Sequence, residues 1–348
     1  IMSKPTYIAA IDIGTQSIIG AIAEKLPNKT IQIKAIEEAK TRPNAVVEGR
    51  VKDINSVLYE IKTICKKLTN QTNIPINKLY LFSSWLTKEN NYKEWEVLFA
   101  NVNGKHKESL TFLSVPNLLT SKADLFLTPA EQNNGCLFID MGAGSTSYIL
   151  RAKGQEDMKG IINIGGYLIS NDLTYKGLQF EYAEKLKKRL GDAQPKKLEF
   201  PNKYISLKPD GPFDINQSIS LLELSTMIEE RVDDTARRIL SKLMKNGMLK
   251  SEGCKIVLSG GACLLKHLPD WYADKTRLEV RIADAINIID NDELSQSCNK
   301  PRYHTLLSIL LQGSEDCRAP KSTSWNPFKL PTKGGINSAL DKAIDTLF

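Results

Sequence analysis

One pattern occurs twice in this chain and limits it more than any other: an apolar strand ends in aspartate and runs into a glycine turn carrying hydroxyls. The first copy is Ile11-Asp12-Ile13-Gly14-Thr15-Gln16-Ser17, and the second is Phe138-Ile139-Asp140-Met141-Gly142-Ala143-Gly144-Ser145-Thr146. Glycine lets backbone N–H groups come close to a phosphate, and threonine or serine adds a hydroxyl donor. An aspartate at the strand end can hold a magnesium ion through its waters. One such loop arises easily by chance in turns. Two of them, some 130 residues apart, point to similar half-domains facing one phosphate chain. A third segment, Ile256-Val257-Leu258-Ser259-Gly260-Gly261-Ala262, places Gly-Gly between a strand and a helix, where backbone can lie flat against a base.

The remaining composition narrows the class of protein. A chain of 348 residues can build two domains with cores of their own. No apolar run approaches the roughly 18 residues needed to span a bilayer, and the first residues carry no signal-peptide pattern. The six cysteines include no Cys-x-x-Cys pair, and several sit within apolar segments, which predicts buried, reduced thiols and a cytoplasmic setting. His106, His267 and His304 are too few and too scattered for a metal site. The net charge of +7 favours an acidic peptide or an anionic lipid surface as partner. Nucleic acid is not expected, because no basic strip is interleaved with aromatics. The basic run Lys185-Leu186-Lys187-Lys188-Arg189 reads mainly as a solvated helix face.

Periodicity predicts strands over residues 7–13, 18–23, 31–39 and 77–82, and an amphipathic helix through Ile54, Val57, Leu58, Ile61, Ile64, Cys65 and Leu68. Strands return at 136–141, 145–151, 158–164 and 255–259. Helices are predicted over 166–175, 180–190, 303–311 and 221–246, the last stopped by Asn246-Gly247. Residues 84–118 hold a single strand, 94–100. The stretch after Gly313 reads as a linker, followed by a short amphipathic helix with Ile336, Leu340, Ile344, Leu347 and Phe348 on one face. The expected domains are therefore residues 1–164 with 300–313 returning to them, 165–299, and a tail over 314–348.

Five further segments join the loops in the same order. They are Glu48-Gly49-Arg50-Val51-Lys52-Asp53-Ile54, Gly165-Gly166-Tyr167-Leu168-Ile169-Ser170-Asn171-Asp172, Ala183-Glu184-Lys185-Leu186-Lys187 with Gly191, Ile228-Glu229-Glu230-Arg231-Val232, and Leu258 to Gly261. This set resembles the actin/Hsp70/sugar-kinase ATPase superfamily and, within it, the bacterial cell-division FtsA family, from residue 7 to about 311. The resemblance implies an α/β, actin-like (ribonuclease H-like) two-domain ATPase fold with the nucleotide cleft between the domains, and ATP and Mg2+ as cofactors. By the same resemblance, Gly14, Thr15, Gln16 and Ser17 hold the phosphates from one side, and Gly142, Ala143, Gly144, Ser145 and Thr146 from the other. Asp12 and Asp140 organise the magnesium ion, and Gly165 and Gly166 line the hinge. Gly260, Gly261 and Ala262 face the adenine. Glu184 and Lys187 contact ribose or base, although their spacing also fits an ordinary surface pair three apart on a helix. Asp172 caps or braces the helix that follows it.

The resemblance also implies a partner, the C-terminal tail of the tubulin-like protein FtsZ, received on domain II near Arg231, Arg237, Arg238, Lys242 and Lys245. Self-association and contact with the inner face of the cell membrane belong to the same pattern. Three departures qualify it. The inserted subdomain expected after residue 82 is reduced or absent. Leu118-Leu119 stands where related ATPases have a Glu-Pro whose carboxylate positions water, and Ser147 stands where a carboxylate is usual. Leucine can neither orient water nor accept a proton. The expectation is an ATP-binding adaptor linking FtsZ filaments to the membrane, with slow or no hydrolysis and no assignable catalytic residue. The alternatives are a PilM-like pilus-assembly adaptor and a small-molecule kinase of the same superfamily.

Overall fold

Two five-stranded sheets built on one plan carry the fold. The computed structural model describes residues 5–84, 110–115, 117–151, 156–207, 217–245 and 253–320. The expected strand at 94–100, the helix stop at Asn246-Gly247, His106 and the amphipathic stretch 336–348 lie outside these residues, as do the side chains of Lys242 and Lys245.

In the first sheet β1 (Thr6–Ile13), β2 (Ser17–Lys25) and β3 (Ile31–Lys40) form an antiparallel meander. A small hairpin follows, β4 (Val46–Val47) with β5 (Arg50–Val51). Then β6 (Lys78–Phe82) pairs parallel to β1 and β7 (Thr111–Leu113) parallel to β6, for the order β3-β2-β1-β6-β7. The second sheet repeats the scheme. Its meander is β8 (Cys136–Met141), β9 (Thr146–Arg151) and β10 (Met158–Ile162). After the hairpin of β11 (Tyr204–Leu207) and β12 (Gln217–Ser220), β13 (Lys255–Ser259) joins β8 and β14 (Glu279–Ile282) joins β13, both parallel. Its order is β10-β9-β8-β13-β14. A parallel neighbour needs a crossover; helices lie between β1 and β6 in the first half and between β8 and β13 in the second.

The helices sort into layers by their apolar faces. Asp53 caps α1 (Ile54–Thr72), its carboxylate accepting from Ser56 N at 3.0 Å, and the helix ends on left-handed Asn73. Its stripe of Val57, Leu58, Ile61 and Ile64 packs on Ala9, Ile11, Ile13, Ile18 and Ile22, the outer face of sheet one. Between the sheets lie α2 (Leu118–Phe126) and α9 (His304–Gln312), with Leu118, Ala123, Phe126, Leu306 and Leu310 in one core with Ile8, Ala10, Phe138 and Ile149. The short α3 (Pro129–Asn134) follows α2 and carries a capping box of Thr128 and Glu131. The outer face of sheet two is covered by α4 (Gly166–Thr174), α5 (Phe180–Leu190), α6 (Leu221–Lys245) and α7 (Leu268–Thr276). The five-residue α8 (Glu293–Ser297) precedes α9. Among the described residues no helix is long and apolar enough to cross a membrane. All six cysteines are buried and free.

Two sequence expectations need correction. Sheet membership divides the chain before Cys136, not at Gly165, because β8 pairs in register with β13 from Cys136↔Lys255 to Asp140↔Ser259. The second aspartate loop therefore belongs to the sheet that carries the Gly-Gly turn. The start of the expected linker is also fixed to the body. Cys317 is fully buried, its N–H donates to Tyr7 O at 2.7 Å, and its carbonyl accepts from Asn77 N at 2.8 Å. The Arg318 guanidinium stacks over the Tyr7 ring, 4.6 Å from its centroid. Polar composition suggested a solvated tether, but one apolar residue among the polar ones suffices to anchor it.

Candidate functional site

The two aspartate loops have the same shape. Each is a hairpin closed by a glycine, Gly14 N donating to Ser17 O and Gly142 N donating to Ser145 O, both at 2.9 Å. They meet each other where the two sheets come together. A Cβ placed on Gly144 would sit 2.1 Å from Thr15 Oγ1, and Thr15 Oγ1 itself accepts from Gly49 N at 3.3 Å. Thr41 holds the first loop from behind, its N–H donating to Gln16 O and its hydroxyl to Gly14 O. The Gln16 side-chain nitrogen is buried without a protein partner.

The hinge and base segments close on the second loop. Gly166 N donates to Gly142 O at 3.0 Å and Tyr167 N to Ala143 O at 2.7 Å. Gly165 permits this approach, since a Cβ there would lie 2.4 Å from Ala143 O. Gly260, at φ 82°, brings its Cα beside Asp140, with a Cβ position only 2.7 Å from Asp140 Oδ1. Ala262 Cβ lies 3.1 Å from the place a Gly166 Cβ would take. Gly261, by contrast, is exposed and has ordinary space around its Cβ position, with only Arg302 Cβ near, at 3.6 Å. On α5, Lys187 Nζ donates to Gly166 O and to Glu184 Oε2, both at 2.7 Å, and Ser170 Oγ also donates to Glu184. Burial would raise the Glu184 carboxyl, but Lys187 and these hydrogen bonds hold it down to about 2. The pair is thus a partly buried clamp on the hinge glycine, tighter than a surface ion pair.

So the structure brings together Gly14, Thr15, Gln16, Ser17, Gly142, Ala143, Gly144, Ser145, Gly165, Gly166, Glu184, Lys187 and Gly260 to Ala262. Thr146 is the exception: it is fully buried and its hydroxyl donates to Ile164 O at 2.7 Å, so it braces β9 from inside. Asp172 is a brace, as expected, but to another helix: its carboxylate accepts both Nε and Nη2 of Arg231 on α6, at 2.6 and 2.8 Å.

Strand alternation aims both aspartates at the central layer. Ile8 and Ala10 on β1, and Cys136 and Phe138 on β8, belong to the core between the sheets; Asp12 and Asp140 continue those two rows. There they meet a side chain not singled out from the sequence. Lys122 of α2 donates to Asp140 Oδ2 at 2.6 Å and to Thr305 Oγ1 of α9 at 2.7 Å. Its side chain is 3% exposed, that of Asp140 19%. Burial pushes the Asp12 carboxyl up to about 7; the Lys122 charge opposes this and the Asp140 charge adds to it. His304, stacked 4.1 Å from Phe126 and bonded through Nδ1 to Ser259 Oγ, is driven down to about 3 by burial and then by Lys122, so its ring is neutral. One signal in the sequence does point at Lys122: it is the single charge within the buried row Leu118, Lys122, Ala123 and Phe126. As a magnesium site the aspartate pair fits poorly. One oxygen of Asp140 is already taken by an ammonium fixed in place from a second helix.

Solved structures with this arrangement are of one class. The chain superposes on a chain of a PilM–PilN type IV pilus biogenesis complex with a TM-score of 0.61 at 13% identity, over 90% of this chain and 99% of that one. MreB5 of Spiroplasma citri bound to ADP gives 0.57 at 14% identity over 87% and 94%, and the ethanolamine utilization protein EutJ of Carboxydothermus hydrogenoformans 0.58 at 16% over 89% and 91%. The fold is the actin-like one. Residues 137–308 match the family model of cell division protein FtsA. Cell division protein FtsA of Rhizobium meliloti (strain 1021) is 28% identical over 189 residues, 53% of this chain and 42% of that protein. The protein of the same description from Buchnera aphidicola subsp. Baizongia pistaciae is 26% identical over 222 residues, 60% of this chain and 52% of its own length. Over these residues the chain is similar to the FtsA family. It spans about half the length of the curated relatives it matches.

Proposed function

We propose that this chain is a nucleotide-binding adaptor of the cell-division machinery, taking ATP or ADP where its two aspartate loops meet. The observation that carries this reading is the convergence of three glycine-bearing segments, at Thr15 and Gly144, at Gly165 and Gly166, and at Ala262. Backbone N–H groups of the two hairpins suit a phosphate chain, and the flat Gly260-Gly261 turn suits a base. Gly261 provides a clean test. Valine there has room within the protein, so Gly261→Val should leave the melting temperature within a degree or two while weakening ADP binding by about tenfold or more, because the new side chain occupies the base position. Unchanged calorimetric affinity in a well-folded Gly261→Val protein removes this turn from the site.

Slow or absent hydrolysis fits the same reading. Leu118, at the position expected to orient water, is 4% exposed and packed in the central core, and its side chain can neither orient water nor accept a proton. The bound nucleotide would then act by biasing the angle between the two sheets. The similarity to the FtsA family supports, as partner and place of action, the FtsZ tail on the α6 side and the inner face of the membrane. On α6, Arg231 is committed to Asp172, while Arg237 and Arg238 pair with Asp233 and Asp234 one turn back and remain largely exposed. Beside them a groove of about 470 Å³ runs between α6 and α7, lined by Glu229, Arg237, Trp271 and Lys275. Reversing both Arg237 and Arg238 to glutamate should slow association with an FtsZ tail peptide by about tenfold at low salt and flatten its salt dependence, as rim charges act on encounter. Stopped-flow rates unaffected by the reversal remove α6 as the receptor. A PilM-like adaptor is the second reading, favoured by the near-complete overlap in length with the chain of the PilM–PilN complex. A peptide from a pilus inner-membrane protein in place of the FtsZ tail separates the two.

A further inference from the structure

We infer that Lys122 is the resident cation of the cleft, its ammonium serving the Asp12–Asp140 pair in place of a divalent ion, so that nucleotide is bound without magnesium. This rests on the nucleotide-binding reading above and names how that site balances its charge. The first ground is geometry. Lys122 Nζ lies 2.6 Å from Asp140 Oδ2, the distance of a charge-assisted bond, and a second bond to Thr305 Oγ1 fixes the ammonium from α9. A magnesium ion held through the waters of Asp140 would have to share that carboxylate with a positive charge already in contact with it.

The second ground is that Lys122 has nowhere else to go. It issues from α2, the helix between the sheets, and its neighbours Leu118, Ala123 and Phe126 are packed against Phe138, His304 and Leu306. Turning the ammonium away from Asp140 would leave it buried among these apolar groups with no carboxylate, a costly state for a charge. Solvent is no refuge either, since the side chain is almost fully enclosed. The cation therefore belongs to the fold itself.

The third ground is what polyphosphate requires. Two aspartates at the floor of a phosphate site repel the ligand unless a positive charge offsets them, which is the task a divalent ion performs through their waters. With Lys122 in place one of the two is neutralised from behind, and the facing N–H groups of the Gly14 and Gly142 hairpins receive the phosphates. The lysine thus performs the charge compensation that a divalent ion would otherwise supply.

Calorimetric titration of the full chain with ADP, once in excess magnesium and once in excess EDTA, tests this. The dissociation constants are expected to agree within about threefold. In Lys122→Met the carboxylates lose their cation: binding in EDTA should weaken by about tenfold or more, and magnesium should restore it. A wild-type affinity that falls tenfold or more when magnesium is chelated overturns the inference and leaves the nucleotide reading standing. Absence of ADP binding in both buffers overturns the two together. If Lys122→Met does not fold, by its thermal melt, the pair of wild-type titrations decides alone.

Discussion

Replacing Arg281 with alanine is expected to lower the unfolding free energy at neutral pH by about 2–4 kcal/mol, because it strands a buried carboxylate. Arg281 on β14 donates from Nε to Glu131 Oε1 and from Nη2 to Glu131 Oε2, both at 2.7 Å, and Nη2 also donates to Phe126 O at 2.8 Å. One guanidinium thereby ties an edge strand of the second sheet to the end of α2 and to the cap of α3. Glu131 is 5% exposed and also accepts from Thr128 N, so its carboxylate depends on protein partners while Arg281 is in place. The pair is half open on the arginine side, which keeps the figure below that of a fully enclosed pair. The pH dependence has a definite sign. Burial alone would raise the Glu131 carboxyl, but its bonds from Arg281 and Thr128 outweigh that and hold it below its ordinary 4.5. A depressed carboxyl stabilises the fold above its unfolded value and loses that contribution as pH falls through the folded one. The gap between wild type and Arg281→Ala, measured by urea unfolding, should be full at pH 7 and narrow below about pH 4.5. An equal gap at both pH values would contradict the ion-pair account.

Asp12→Asn should act in the opposite direction and make the protein more stable at pH 8. Asp12 sits at the packed end of β1, and its carboxyl is raised from 3.8 to about 7, first by burial. A group raised in this way favours the fold fully below its unfolded value, and the benefit is lost as pH climbs through the folded one. Above pH 7 the native state carries a carboxylate it would hold better as the neutral acid. Asparagine has the same shape without the charge. The expected gain at pH 8 is about 2–4 kcal/mol, and it shrinks as pH falls towards the unfolded value of 3.8, below which the acid is protonated in both states. The attraction between Asp12 and Lys122, which asparagine forfeits, is already contained in the net shift. Melting temperatures of both proteins at pH 5 and pH 8 decide the matter. The wild type should lose stability across that interval relative to the variant; parallel curves would mean that Asp12 is solvated as an ordinary surface carboxylate.

Much of the site was readable before any tertiary contact was known. Alternation along residues 8, 10 and 12, and along 136, 138 and 140, assigns each aspartate to one strand face, and glycine with a hydroxyl neighbour marks the hairpin that follows. Predicted strands 136–141 and 255–259, and helix 180–190, coincide with those observed, because each has a strong local period. Thr146 was read as a phosphate contact because its hydroxyl fits the motif, but residue type does not reveal that β9 turns it towards Ile164. Nor does composition show that Cys317 pins the chain between Tyr7 and Asn77. Both depend on which faces meet, and local period is silent about that.

The chain by itself determined two repeated aspartate hairpins, their strands, and the apolar stripes that say which side of each helix is covered. Those properties come from bonding and steric preferences between residues a few positions apart. Only the tertiary structure decided that residues 136–162 pair with 255–282 in one sheet, and that α2 lies between the two sheets with Lys122 against Asp140. A charged residue in an apolar helix row is a contradiction while the helix is considered alone. It resolves only when a strand from the other side of the core presents the carboxylate that makes burial of the charge tolerable.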